Sequence, residues 1–265
     1  MNWRSSEWCI FSENLRRKSS NSNKFHFAKT QHLSQQPTIL NIESATETCS
    51  ISIGRGQETL ALQESSKPND HSKVITLLIE KCCESAGIGL GQLDAVAVSA
   101  GPGSYTSLRV GASVAKGICY ALGLPLIAVG TLEALALAAF QKEQDEEALY
   151  VPMLDARRME VYCAVYNSQG ETIEVAAPKV IDGASFHEYF SNNKKIIFCG
   201  PGSTKTRPIL SSELAFFSLA TCSAIHLQPI SQVLFLQKKF ENLAYFKPEY
   251  LKAPNITGPK LPPAA

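Results

Sequence analysis

The pattern of apolar and polar positions changes abruptly at Thr38. The residues before it are polar, rich in Ser, Asn, Gln and Lys, and show no hydrophobic periodicity. From there Thr38–Glu43, Cys49–Arg55 and Glu58–Gln63 form short apolar runs with turns around Thr46 and Gly56, which predicts three consecutive strands, an antiparallel meander at a sheet edge. Asp70–Ala86 carries Val74, Ile75, Leu77, Leu78, Ile79, Cys82 and Ala86 at helical spacing, with Asp70 as N-cap and Gly87 as stop. Asp94–Ala100 reads as a fully buried strand that runs into Gly101-Pro102-Gly103-Ser104 and a helix ending near Leu122. Pro125–Val129 predicts another buried strand and Thr131–Gln141 an Ala/Leu-rich helix.

The order β-β-β-α-β-α-β-α up to residue 142 argues for an α/β fold whose mixed sheet is covered on both faces. The charge run Gln141–Ala148 marks a boundary, so the expected division is 1–37 as a disordered extension, 38–142 as a first subdomain and 143–265 as a smaller second subdomain with a tail. In the second, Tyr150–Asp155, Met159–Asn167 and Lys195–Cys199 read as strands and Leu227–Leu243 as a helix, followed by an extended tail over Lys247–Pro254. No period of 20–50 residues is visible, although GPGS occurs twice, at 101–104 and 200–203.

Composition narrows the classes. The formal net charge of +1 exerts no global pull toward nucleic acid. Residues 1–37 hold six Lys/Arg and two Glu, which leaves the rest at about −3, a poor main surface for gripping phosphates. Eight cysteines without any C-x-x-C or zinc spacing fit a reduced, cytoplasmic setting. No apolar stretch is long enough for a membrane span. The N-terminal region lacks the apolar core of a secretory signal; a disordered tail is the expectation, over a transit peptide.

The segment richest in candidate chemistry is the strand–GPGS–helix unit. Gly101 and Gly103 permit unusual φ values and close backbone approach. Free N–H groups and the helix dipole, with Ser104 and Thr106 as side-chain donors, form a candidate anion or nucleotide site, and Arg109 adds a bidentate donor. The same turn also serves as an ordinary helix cap without any ligand, and the spacing is not that of a P-loop. The following helix is nearly bald: Gly111, Ala112, Ser113, Ala115, Gly117 and Ala121. Such residues suit tight packing on the chain's own sheet or docking of a second protein, for which Val74, Leu78, Arg109, Gly111, Ala112 and Ala115 are the candidate contacts.

The stretch Leu93–Ala136, with its strand followed by GPGS-[aromatic]-T-x-LR-x-G, resembles the TsaB (YeaZ) family. The opening TILNIESATETCSISI, the DHSKVITLLIE helix and the closing FKPEYLKAP are similar too; the likeness covers Thr38–Gln141 well and is looser to Pro254. The resemblance implies the actin/Hsp70-like (ASKHA, ribonuclease H-like) fold with two related subdomains. It implies a non-catalytic relative of TsaD that pairs with it, works with the ATPase TsaE, and supports transfer of threonylcarbamoyl to N6 of adenosine 37 in tRNAs reading ANN codons. A homodimer in isolation, tRNA reached through the complex, and ATP and a metal ion used by the partners rather than this chain are further expectations.

Departures from catalytic relatives agree with a supporting role. Where those relatives carry an H-x-x-x-H metal pair, this chain has Thr131 and Leu135, and its five histidines are scattered. The first turn, Glu43 then Ser44-Ala45-Thr46-Glu47, lacks glycine and adds negative charge where a nucleotide's phosphates would sit. Ser107 replaces a usual glycine. His71 reads as structural or interfacial, and Asp155, Arg157 and Arg158 as a surface turn. The alternative is a stand-alone phosphotransferase or a glycoprotease-like peptidase using Glu43 or Asp155. Direct tRNA binding through Arg16, Arg17, Lys18, Lys24 and Lys29 is a third reading.

Overall fold

The computed structural model describes residues 36–65, 67 and 70–252. Most of the expected N-terminal extension, with its basic cluster, and the end of the tail lie outside the described residues.

The meander is present as β1 (Thr38–Glu43), β2 (Ser50–Arg55) and β3 (Glu58–Glu64), followed by α1 (His71–Ala86). Then come β4 (Ala95–Gly101), α2 (Tyr105–Leu122), β5 (Leu126–Gly130) and α3 (Thr131–Glu143). The sheet runs β3-β2-β1-β4-β5, antiparallel through the meander and parallel from β1 to β5. A second sheet contains β6 (Leu149–Asp155), β7 (Glu160–Tyr166), β8 (Thr172–Val180), β9 (Ile196–Cys199) and β10 (Ala215–Phe217), in the order β10-β9-β6-β7-β8. Taken in chain order, both sheets are wound 3-2-1-4-5. The molecule is therefore a duplicated α/β unit of the actin/Hsp70-like class. The second unit starts 111 residues after the first, Leu149 against Thr38, so a search for short periods misses the repeat; the two GPGS turns, which follow β4 and β9, are its equivalent points.

Four elements of the second unit were not foreseen: β8, α4 (His187–Ser191), α5 (Ser203–Thr206) and β10. β8 is an edge strand with nearly every residue exposed, so no alternation marks it. The last helix, α6, spans Ala224–Leu236 rather than Leu227–Leu243, because the chain turns out after Gln237 and forms a bridge from Glu241 to Leu126. Asp70 occupies the N-cap position of α1 but caps nothing; its carboxylate pairs with Lys73 at 3.0 Å. Gly87 ends that helix in the left-handed conformation, as expected.

On one face of the first sheet, Leu40, Ile42, Ile51 and Val98 pack under α1 and α2. The other face carries Ile39, Ala97 and Ile127, covered by Ala134 and Leu137 of α3 and by Leu227, Ile230 and Leu234 of α6. Among the described residues after 143, α6 returns to the first sheet, where its apolar face is buried. α3 is buried nearly all round, for Leu132, Leu135 and Ala139 also contact Tyr150 and Leu154 of the second unit.

Candidate functional site

α1 and α2 lie side by side on the first sheet, and each turns one stripe inward. α1 buries Ile75, Leu78, Ile79 and Cys82. α2 buries Leu108, Gly111, Ala112, Ala115 and Cys119. A Cβ on Gly111 would stand 2.2 Å from Ser44 Oγ and 3.6 Å from Ile42, so the glycine admits the end of β1. Gly111, Ala112 and Ala115 therefore serve packing within the chain and are not surface contacts. The same correction applies to Leu78, whereas Val74 is half-buried at the flank of this core. Arg109 is exposed; its guanidinium lies 4.4 Å over the Tyr105 ring and Nε donates to Tyr250 Oη at 3.3 Å.

Between the two helices runs an open, mainly apolar groove of about 630 Å³, lined by Thr76, Ile79, Cys83, Ile88, Val114 and Ile118, with Glu80 and Glu84 beside them. These residues were missed. The signal for two of them, Val114 and Ile118, was present as the β-branched stripe Val110, Val114 and Ile118 at i, i+4, i+8.

The GPGS turn is filled by the chain itself. Ser104 N–H donates to Ala45 O at 2.7 Å, and Ser104 Oγ caps the helix by accepting from Ser107 N–H at 3.4 Å. The two hydroxyls, Ser104 and Ser107, are 2.9 Å apart, so the serine that replaces the usual glycine completes the cap. A Cβ on Gly103 would meet Ala45 O at 2.6 Å, and one on Gly101, whose φ is +109°, would meet Glu249 O at 2.6 Å. The glycines admit the first turn on one side and the C-terminal segment on the other. Two of the groups proposed to hold an anion, the Ser104 amide and hydroxyl, are thereby engaged; Thr106 remains exposed on the first turn. In the second unit Gly202 N–H likewise donates to Met153 O at 2.9 Å.

Glu43 does not present its charge to a ligand. It is 1% exposed, and Oε1 accepts from Ala45 N–H at 2.6 Å. Burial pushes its carboxyl up to about 7, against the lowering effect of the Ala45 amide and the Ser99 hydroxyl. Thr131 and Leu135 are both buried, and Leu135 packs so closely that a Cβ on Gly200 would lie 2.4 Å from it. Among the described residues no three His, Cys, Asp or Glu side chains cluster as a metal site. His71 is buried at the start of α1, and burial lowers its pKa. Asp155 pairs with Lys205 at 2.6 Å and accepts from the Arg157 amide, so its partner is not a turn arginine side chain. Seven cysteines are unpaired among the described residues, all buried but the half-buried Cys83.

A family model described as TsaD: tRNA N6-adenosine threonylcarbamoyltransferase matches residues 64–257. The tRNA threonylcarbamoyladenosine biosynthesis protein TsaB of Haemophilus influenzae is 31% identical over 238 residues, which cover 86% of this chain and 98% of that protein. The chain belongs to the TsaB family. The TsaB protein of Escherichia coli is 28% identical over 236 residues, 84% of this chain and 98% of the relative. Among solved structures, YeaZ from Pseudomonas aeruginosa superposes with a TM-score of 0.69 at 24% identity, over 81% of this chain and all of that one, a likeness of fold. No helix among the described residues is long and apolar enough to cross a membrane.

Proposed function

We propose that this chain is an accessory, non-catalytic subunit in tRNA threonylcarbamoyladenosine formation. In this reading it pairs with TsaD and acts with the ATPase TsaE while the complex transfers threonylcarbamoyl to N6 of adenosine 37 in tRNAs reading ANN codons. ATP and the metal ion belong to the partners, tRNA is reached through the complex, and the setting is cytoplasmic.

The observation that carries this reading is the open groove between α1 and α2. A folded chain gains by removing apolar surface from water, at about 25 cal/mol per Å², and exposed apolar patches mark sites of association. Here two helices that are well packed beneath, with the turn after α1, leave Val114, Ile118, Ile88 and Cys83 only half-buried along an open groove. A helix pair from TsaD, or from a second copy when TsaD is absent, is the occupant proposed. A stand-alone phosphotransferase would need a carboxylate open to its ligand; Glu43 is shut in, and the exposed Asp155 is taken up by Lys205 at 2.6 Å.

Light scattering on the purified chain, alone and mixed with its TsaD counterpart, tests the reading. The expected result is a homodimer that exchanges into a heterodimer. A chain that stays monomeric and ignores TsaD would overturn it, as would ATP turnover by the pure chain that disappears in Glu43→Gln.

A further inference from the structure

The face of α2 next to the groove carries a different chemistry. Tyr105, Arg109, Lys116 and Tyr120 fall within an arc of roughly 60° at 3.6 residues per turn. The helix has no Asp or Glu in its 18 residues. The C-terminal segment runs alongside this arc. Lys116 Nζ donates to the carbonyls of Ala244 and Phe246, each at 3.2 Å, the Tyr105 and Tyr250 rings meet at a tilt with centroids 4.7 Å apart, and Glu249 N–H donates to Ala100 O at 2.7 Å. Together the helix and segment display Tyr105, Tyr120, Tyr245 and Tyr250 interleaved with Arg109, Lys116, Lys247 and Lys252. The carboxylates nearby are Glu249 on the same segment and Glu160, which pairs with Lys252. Tyr120 and Tyr245 are each 84% exposed.

Two rings left in water have no place in the fold's own packing, since a buried aromatic removes some 150–250 Å² from solvent. Flat rings spaced among cations are what an unpaired nucleic-acid strand uses: bases stack on the rings and phosphates meet the charges. The Tyr105–Arg109–Tyr250 cluster is already ordered in this way. The groove stripe of Val114 and Ile118 lies roughly 120° or more around the helix from Tyr120, so a protein seated in the groove leaves this face open.

We infer that the face formed by α2 and residues 244–252 binds an unpaired stretch of RNA, with Tyr120 and Tyr245 as stacking platforms and Arg109 and Lys247 on phosphates. The inference rests on the proposed function only for the RNA presented, a loop or end of the tRNA. The acidic balance of the whole body is no obstacle, because the contact is local and the main grip lies elsewhere in the complex.

The test is fluorescence anisotropy with a labelled unpaired RNA of about 15 nucleotides, titrated with the full chain alone and with the chain plus TsaD. Tyr120→Ser combined with Tyr245→Ser is expected to weaken binding at least about tenfold, and the corresponding Phe pair to retain it. Arg109→Gln is expected to lower the log–log salt slope by about 0.7. The substitutions at Tyr120 and Tyr245, each 84% exposed, leave the melting temperature unchanged, which separates loss of contact from loss of fold. Absence of binding by the wild-type chain at about 50 mM salt, or undiminished binding by the double Ser variant, overturns the inference. So does displacement of RNA by polyglutamate together with indifference to the tyrosines, which would mark the face as a dock for an acidic protein. If TsaD joins and the tyrosines do not matter, the RNA contact falls and the assembly reading stands; if RNA binds as expected while TsaD is ignored, the reverse holds.

Discussion

Ser104 donates its backbone N–H to the carbonyl of Ala45, and the glycine before it, Gly103, has no room for a side chain because that same carbonyl would lie 2.6 Å from its Cβ. Gly202 has the equivalent place in the second unit, 2.8 Å from the Leu154 carbonyl carbon by the same measure. Here backbone meets backbone, so nothing can rotate aside. Gly103→Ala and Gly202→Ala are each expected to destabilise by about 1–3 kcal/mol. Gly117→Ala, where a Cβ meets nothing within 4 Å, is expected to stabilise α2 by up to about 1 kcal/mol. Urea denaturation of the three variants checks the contrast.

Surface and core substitutions on the helix pair should separate. Thr76 is exposed and lines the groove, so Thr76→Arg is expected to keep the melting temperature within a degree or two of the parent while abolishing association with TsaD. Gly111→Arg is expected to cost folding itself, because its inner face meets Ser44 and Ile42. Thermal melts alongside light scattering distinguish them. Normal association by a folded Thr76→Arg protein would refute the groove as the interface.

Buried carboxyls give stability a pH dependence of known sign. The Glu43 carboxyl rises from an ordinary 4.5 to about 7 because of burial, and that of Glu133 does likewise, offset in part by Lys239. The folded state thus keeps a proton that the unfolded chain releases. The associated stability is complete below about 4.5 and is lost as pH rises through about 7. For Glu43 the difference is on the order of 3 kcal/mol. Glu43→Gln is expected to melt higher than the parent at pH 8 and to lose that advantage at pH 5. Parallel melting curves across that range would show that Glu43 is not held in the neutral form.

The C-terminal segment is fastened at Tyr250 by the Tyr105 ring and Arg109, and at Lys252 by Glu160. Tyr250→Ala is expected to raise hydrogen exchange of the Glu249 amide, which bonds Ala100 O, and to hasten proteolysis between 247 and 252. Exchange mass spectrometry reads both sites of fastening separately from global unfolding.

Periodicity was enough to place the first unit. The strands announce themselves as short apolar runs, because both faces of that sheet are covered, and α1 and α2 through helical spacing and glycine stops, because one face of each helix is buried and the other is wet. The second unit was half legible: β8 is exposed on both faces and α4 and α5 are single turns, so neither leaves a pattern. The motif that carries the family, GPGS with its following helix, was also legible.

What local sequence cannot state is which neighbour a small or polar residue meets. Gly111, Ala112 and Ala115 signalled close approach, but only the packing of α2 on β1 assigned that approach to Ser44 rather than to a partner. Likewise Gly101 and Gly103 signalled backbone proximity, and the visitors are Glu249 and Ala45, which are 148 and 58 residues from them along the chain by their numbers. The return of α6 and the tail to the first sheet has the same cause. Burial of their apolar faces depends on where other elements lie, and that is a property of the assembled fold rather than of any stretch of sequence.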